Sequence, residues 1–470
     1  MWVRLNDVGK YWEKANTPTS PTSTFTKLDM NYREVFNVKV YGAIGDGATD
    51  DTTAIQAAIN ATNVLGPGGV YGFGGIVEMP KGSYKITKTL VMREGVTLRG
   101  VGKGSITGGP TVLDTTTIPS GNPGILINGD ILAVGSNGWA RVITSNSGST
   151  GLTSSSTTAT AHIASHGYAN GSTVIISGAA QTEYNGTYTI AVPDGNHFTY
   201  TFAGSGTSPA TTSGSIRDIQ LTDFYLAGRG AAVAGTEAEI QGVGNTSQVI
   251  IRDLIVARHS GGSVATTGYC ILLEGGMHSS RLEGIITAGG LNGFSLGASV
   301  TSTSLISCFA QLAAGYGYDI SGTYNSLMSC ATDSSGISGY ILRDAAGIGL
   351  YSCGAEGSTR QSVLLYNSTG ILISAFRSHV SNSSASTYYP SFLEIENSDY
   401  ITVIGCIDSS PDAATVYSID STTSDSGVNI IILNCSLDKS VSARLAKQLV
   451  SYGANDSGGT GYRLLRIANS

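Results

Sequence analysis

Apolar positions recur along this chain in short clusters about 22 residues apart. Four segments align without gaps: SLISC (304–308), SLMSC (326–330), GLYSC (349–353) and ILISA (371–375). Their last residues, Cys308, Cys330, Cys353 and Ala375, are spaced 22, 23 and 22. More loosely, TDFYLAG, RDLIVAR and RLEGIIT place Phe224, Leu254 and Ile285 in the same column, and YITVIGC and IIILNC place Cys406 and Cys435 there. Each unit is a short β segment ended by Gly, Asn or Ser, with a second apolar run between, such as YGYDIS, GYILRD or SVLLYN. One such unit cannot bury its apolar face alone, so neighbours must stack to make a continuous core. The period predicts a parallel β-helix with several short strands per coil, over 74–140 and 216–440. A leucine-rich repeat has a similar period, but its Leu-x-x-Leu-x-Leu frame is absent. The column residues are predicted to point inward, and the cysteines to act there as small apolar groups.

Two regions depart from the period. Residues 36–60 read FNVKVYGAIGDGATDDTTAIQAAIN. FNVKV alternates as a half-buried strand does, GAIGDGATDD is turn chemistry, and Ala54, Ile55, Ala58 and Ile59 fall on one helical stripe. Thr49, Asp50 or Asp51 is expected to cap that helix. A calcium loop is the competing reading of Asp46, Asp50 and Asp51, but no bidentate Glu follows. A strand–turn–helix here suits the open end of a solenoid. Residues 141–216 open with SNSGSTGLTSSSTTAT and continue with short alternating strands and the turns YNG and PDGN, which predicts an inserted small β-sandwich. Its Tyr184, Tyr188, His197 and Tyr200 are candidates for sugar stacking or for the core. The predicted organisation is a stalk or attachment segment at 1–35, the β-helix N-cap and first coils at 36–140, the insert at 141–216, the main β-helix at 217–440 and a C-terminal cap or trimerisation segment at 441–470.

Composition supports an all-β, turn-rich chain: 63 of 470 residues are glycine and only 13% are charged. A net charge of −7 gives no support for nucleic-acid binding. No run of 18 apolar residues exists, and the opening MWVRLNDVGKYWEK does not read as a signal peptide. Synthesis in a cytoplasm is expected, where the cysteines stay reduced. Neither cofactor nor metal is expected, since no Cys-x-x-Cys occurs and Cys and His do not cluster at ligand spacing.

FNVKVYGAIGDGATDDTTAIQAAIN, followed by GGIVEMPKGSYKIT and VTLRGVG, resembles the N-terminal signature of the pectate-lyase-like superfamily of right-handed β-helices, and within it the form found in bacteriophage tailspikes. The C-terminal GGTGYRLLRIANS also resembles the end of such spikes. The resemblance implies a virion-borne homotrimer that binds, and often cleaves, bacterial surface polysaccharide outside the cell. It assigns no catalytic residues. Residues 1–35, with Trp2 and Trp12, are candidates to dock on another tail protein.

Cleavage of a polysaccharide needs two carboxylates for hydrolysis, or a base and charge neutralisation for a lyase. Three residues beyond each column position the chain should point outward, and these positions read Ala227, Ala257, Ala288, Gln311, Asp333, Glu356, Ser378, Ser409 and Asp438. Asp333 and Glu356 are thereby predicted to be neighbours about 5 Å apart, as in a retaining glycosidase. Arg360, Arg377 and His379 are expected to bind substrate beside them, and the bland alternative is a solvated face with Arg377 paired to Glu356. Glu274, His278, Arg281 and Glu283 form a second candidate site around a coil turn. His259 reads as structural or surface. The expected activity is glycoside hydrolysis of a capsule, exopolysaccharide or O-antigen; a lyase of the same fold and a non-cutting receptor-binding spike are the alternatives.

Overall fold

The computed structural model describes residues 35–62, 74–128, 151–204, 216–229, 237–379, 391–409, 415–420 and 429–437, apart from a few positions inside these ranges, and elsewhere only short strands. Most of the stalk at 1–35 and of the segment at 441–470 lies outside these residues. Leu464–Ala468 is described, and it pairs in parallel with Asn429–Leu433.

Three parallel rows of strands make the coils. The first runs through Ile125–Asn128, Ala238–Val243, Tyr269–Leu273, Asn292–Leu296, Tyr318–Thr323, Tyr340–Ala346, Gln361–Tyr366 and Ser391–Glu396. The second includes Val96–Arg99, Gln220–Thr222, Ile250–Arg252, Arg281–Glu283, Ser304–Ile306, Ser326–Met328, Gly349–Tyr351 and Thr369–Ser374. The third includes Thr111–Asp114, Tyr225–Ala227, Ile255–Ser260, Ile286–Gly289, Phe309–Gln311, Ala331–Asp333, Gly354–Glu356 and Arg377–His379. The links pair residue to residue with the neighbour coil, save a register shift between Ile320 and Gly322 where Tyr318–Thr323 meets Tyr340–Ala346, so one position becomes a ladder along a row.

A single bend residue turns the chain from the second row to the third. It takes positive φ in each coil: Asp223, Asp253, Gly284, Ser307, Ser329, Ser352, Ala375 and Gly405. The next residue drops into the core, giving the buried ladder Phe224, Leu254, Ile285, Cys308, Cys330, Cys353, Phe376 and Cys406. The cysteine column is therefore inward as predicted, with one correction. Ala375 is the exposed bend, and Phe376 fills the column. A small residue was matched to a column of small residues, but the bend sets the register. All six cysteines are free thiols. The hydrogen bond to Cys330 and burial together push the Cys308 and Cys353 thiols up, away from reactivity.

Aromatic rings fill the core beneath the first row. Phe294, Tyr318 and Tyr340 stack with centroids 4.9 and 4.6 Å apart. The inward phenols still find partners. Tyr318 Oη lies 2.7 Å from the Cys308 carbonyl and Tyr340 Oη 2.8 Å from that of Cys330, which satisfies polar groups that would be costly if left bare.

The helix Thr52–Ala61 packs Ile55, Ala58 and Ile59 into the same core as Val38, Val77 and Leu90. Asp51 precedes it but makes no side-chain cap; its carboxylate accepts from the Ile44 and Gly45 amides instead. Asp50 takes the helix's Thr52 amide, and Asp46 accepts from the Ala48 and Thr49 amides. Those backbone bonds, Thr49's first, hold the Asp46 carboxyl below its ordinary range. The three acids are spent on the turn.

Residues 129–215 interrupt the solenoid between first-row strand Ile125–Asn128 and second-row strand Gln220–Thr222, which pairs directly with Val96–Arg99. Leu132–Gly135 and Gly138–Arg141 were expected in the first coils. They pair antiparallel with each other, and Leu132–Gly135 pairs with Thr173–Ser177, so they belong to the inserted unit. That unit has two four-stranded antiparallel sheets, and strands of both contribute to one core containing Leu152, Ile176 and Phe198. Tyr184 and Tyr200 are buried in it and Tyr188 packs against it, stacked on Tyr200 at 4.2 Å. Their faces are taken by the core. His197 bonds Asp194 at 2.9 Å on the surface.

Candidate functional site

Two outer faces carry convergent polar groups. On the third row, the early outward positions are closed. Tyr225, Ile255, Ala257 and Ala288 are buried in a small outer cluster, and Lys103 reaches across to donate to the Gly284 carbonyl at 2.6 Å. From Gln311 onward the row is open. Gln311, Asp333 and Glu356 then align strand to strand, followed by His379. Asp333 and Glu356 are thus neighbours, one strand spacing (~4.8 Å) apart. The register corrects the next position: His379, not Ser378, continues the ladder. Ser378 points inward and bonds Ser362, a consequence of the bend at Ala375.

Local contacts orient this row. Ser334 Oγ donates to Asp333 Oδ1 at 2.8 Å. His379 Nδ1 lies 3.1 Å from the Ser409 carbonyl, which can only accept, so Nδ1 carries the proton and Nε2 is left to face outward chemistry. Arg377 sits one outward position across, paired with Gly354, and is exposed. No ion pair joins it to Glu356 among the described residues. Arg360 is half-buried in the bend beyond Glu356, its amide bonded to the Ile337 carbonyl.

The second predicted cluster divides. Arg281 and Glu283 pair with each other at 3.0 Å on one second-row strand. His278 Nδ1 contacts Ser279 Oγ, and Glu274 accepts from Gln241 Nε2 at 3.3 Å on the first-row side. No contact joins Glu274 to the Arg281–Glu283 pair among the described residues.

The first row carries a polar cluster that the column alignment did not reach. Arg343 forks onto Asp319 through Nε at 2.8 Å and Nη2 at 3.1 Å. Asn292 Nδ2 adds a third bond to Asp319 at 2.9 Å, and the guanidinium lies 5.3 Å from the Tyr316 ring centroid. Burial pushes the Asp319 carboxyl up, opposed by Arg343. Tyr269 stands close by; burial first, then the charges of Asp319 and Glu274, raise its phenol. Asp319 and Arg343 follow the matching Gly-Tyr steps Gly317–Tyr318 and Gly339–Tyr340 at different offsets, and only the structure shows that they meet.

Further in, Arg229, Arg258, Glu237 and Glu239 form a buried ionic quartet where the third row turns into the first. Glu239 Oε1 takes Arg229 Nε and Arg258 Nη1, both at 3.3 Å, and Thr115 Oγ1 donates to its Oε2 at 2.6 Å. Arg229 Nη1 also donates to the Asn122 carbonyl at 2.7 Å, and Arg258 Nη1 to that of Glu237 at 3.0 Å. Enclosed and mutually neutralised, these groups hold successive coils together.

Residues 35–267 match the family model "Rhamnogalacturonase A/epimerase, pectate lyase-like". Over these residues the chain is similar to the pectate-lyase-like family, and its fold is a parallel β-helix. Mannuronan C5-epimerase AlgE3 of Azotobacter vinelandii is 44% identical over 77 residues, 15% of this chain, and the match spans only 4% of that epimerase. Among solved structures, the A-module of A. vinelandii mannuronan C-5 epimerase AlgE4 superposes with a TM-score of 0.51 at 14% identity, covering 93% of this chain and all of the module. The Pseudomonas phage phi297 tailspike gp61 is also similar, with a TM-score of 0.40 and 15% identity over 86% of this chain and 75% of the tailspike.

Proposed function

We propose that this chain is a spike-type depolymerase that binds and hydrolyses a bacterial surface polysaccharide with Asp333 and Glu356. The observation that supports it is the register that sets the two carboxylates on adjacent strands of an open face, near the separation a retaining glycosidase uses. In such a reaction the protonated carboxyl gives its proton to the glycosidic oxygen as that bond breaks. The other carboxylate attacks the anomeric carbon, forming a glycosyl ester. Water then opens the ester, and the first group takes water's proton. Arg360, Arg377 and His379 would hold the polymer across the pair. The relatives act on polysaccharide by name, as epimerases and an alginate lyase, which supports the substrate class. The test is purified protein spotted on a panel of bacterial lawns, followed by assays of new reducing ends and unsaturated uronate in the released material. Reducing ends alone support hydrolysis; unsaturated uronate selects the lyase reading, and binding without cutting the receptor reading.

We also propose a homotrimer carried on a virion and acting outside the cell. Its support is an apolar stripe on the outer second row, where Ile306, Met328 and Tyr351 follow one another in register. Tyr324 and Tyr400 beside it are 73% and 60% exposed, and contiguous exposed apolar surface marks association. Light scattering at micromolar concentration should give three chains, and Met328→Arg with Tyr351→Arg should give one. A wild-type monomer would contradict the trimer. Among the described residues no helix is long and apolar enough to cross a membrane.

A further inference from the structure

The six thiols of this chain do not stand in equal positions. Cys308, Cys330 and Cys353 make an enclosed run, and Cys270 is buried on a first-row strand. Cys406 and Cys435 form a second stack. Ile404 pairs with Leu433 and Ile407 with Ser436, so the two cysteines stand in step on successive coils. Cys406 is fully buried, whereas Cys435 is half-buried at the edge of the core. Their sulfurs are turned the same way. Cys406 Sγ lies 3.5 Å from the Ile404 carbonyl and Cys435 Sγ 3.4 Å from that of Leu433, each two residues back along the chain. Strand spacing sets the two backbones about 4.8 Å apart, inside the Cα range that a disulfide spans. Closing the bond also requires the two Cβ atoms to lean together. Close packing on all sides holds Cys308, Cys330 and Cys353 against that movement, but Cys435 has one open side.

The local chemistry agrees. The hydrogen bond to Cys435 first, then burial, pushes the Cys406 thiol up, so Cys406 keeps its proton. A sulfur that accepts such a bond is favoured as thiolate, the form that attacks a disulfide. Cys330 takes similar bonds from Cys308 and Cys353, which pull it down, yet it is enclosed. Access therefore singles out Cys435.

We propose that Cys435 and Cys406 are an attacking and a resolving thiol, which close to a disulfide and staple two successive coils when the protein meets a small disulfide such as oxidised glutathione. The Cys435 thiolate attacks one glutathione sulfur, and the S–S bond breaks. A mixed disulfide is left on Cys435, and the departing glutathione thiolate takes the Cys406 proton. Cys406 then attacks the Cys435 sulfur and expels the second glutathione, which picks up a proton from solvent. The protein loses two hydrogens, and one glutathione disulfide is reduced to two thiols. The bond joins residues 29 apart and so constrains the unfolded chain. A protein that acts outside the cell meets such disulfides there, but the chemistry is independent of polysaccharide cleavage.

The test incubates the full folded chain with oxidised glutathione, then unfolds it, alkylates it and maps it by mass spectrometry. One disulfide should join the peptides that carry Cys406 and Cys435, and Cys270, Cys308, Cys330 and Cys353 should all be alkylated. Cys406→Ala should stop the reaction with glutathione held on Cys435, and Cys435→Ser should take up none. Hydrogen exchange of Asn429–Leu433 should slow about tenfold on oxidation and recover with dithiothreitol. The map of the unmodified chain decides even where a variant disturbs the core. Six alkylated cysteines after glutathione treatment, a disulfide that excludes Cys435, or exchange left unchanged by the closed bond overturns the inference.

Discussion

Asp333→Asn and Glu356→Gln should each lower the rate of polysaccharide cleavage about a thousandfold, the scale expected when a general acid or nucleophile is removed. The fold should survive both changes. Both side chains point outward, neither takes part in the core, and each substitution removes one of two neighbouring negative charges. Binding of the polymer should persist, so the loss should fall on kcat with KM little changed. Because the register brings His379 onto the same ladder, His379→Ala should weaken binding along with Arg377→Ala, whereas Ser378→Ala should act on the packing against Ser362. Initial rates on the native polysaccharide, with melting curves for each variant, check this. Near-normal activity in both carboxylate variants would move attention to the Asp319 face.

The largest loss of stability is expected from the buried quartet. Arg258→Ala should cost about 3–5 kcal/mol, because it leaves Glu237 and Glu239 enclosed with half their compensation gone. It also removes a donor to the Glu237 carbonyl, beside which the Tyr269 amide bonds. A stacked solenoid need not unfold in one step. Hydrogen exchange of the Glu239 and Tyr269 amides is therefore the sharper readout, and both should lose protection before the coils around Cys330 do. Arg258→Lys keeps the charge and loses the fork, so its cost should be smaller.

The solenoid was legible because its signal is repeated. Apolar columns near 22 residues apart have one economical explanation, and Cys308, Cys330 and Cys353 reported the inward face correctly. The same alignment failed at Ala375. A small side chain suits either a crowded core position or a positive-φ bend, and only the backbone separates the two. That one-residue slip put Ser378 in the ladder position that His379 holds. Leu132–Gly135 was misplaced for a related reason: an alternating strand announces that it pairs, not with which partner. Asp319 and Arg343 stayed hidden because they are not register partners: Asp319 lies opposite Ile341, and Arg343 reaches it diagonally from two residues further along the neighbouring strand. Arg229 and Glu237 look like surface residues in sequence, and only the convergence of three coils makes them an enclosed network.

The central claim is cleavage on the side of the β-helix. Its most direct measurement is the chain length of the polysaccharide from a susceptible lawn, before and after treatment, with new reducing ends counted in the same sample. The unmodified protein should shorten the polymer, with one reducing end per cut and no unsaturated uronate, and the Asp333→Asn/Glu356→Gln double variant should bind the same polymer at full length. A polymer that is bound and never shortened by the unmodified protein, or one shortened equally by the double variant, would contradict the account.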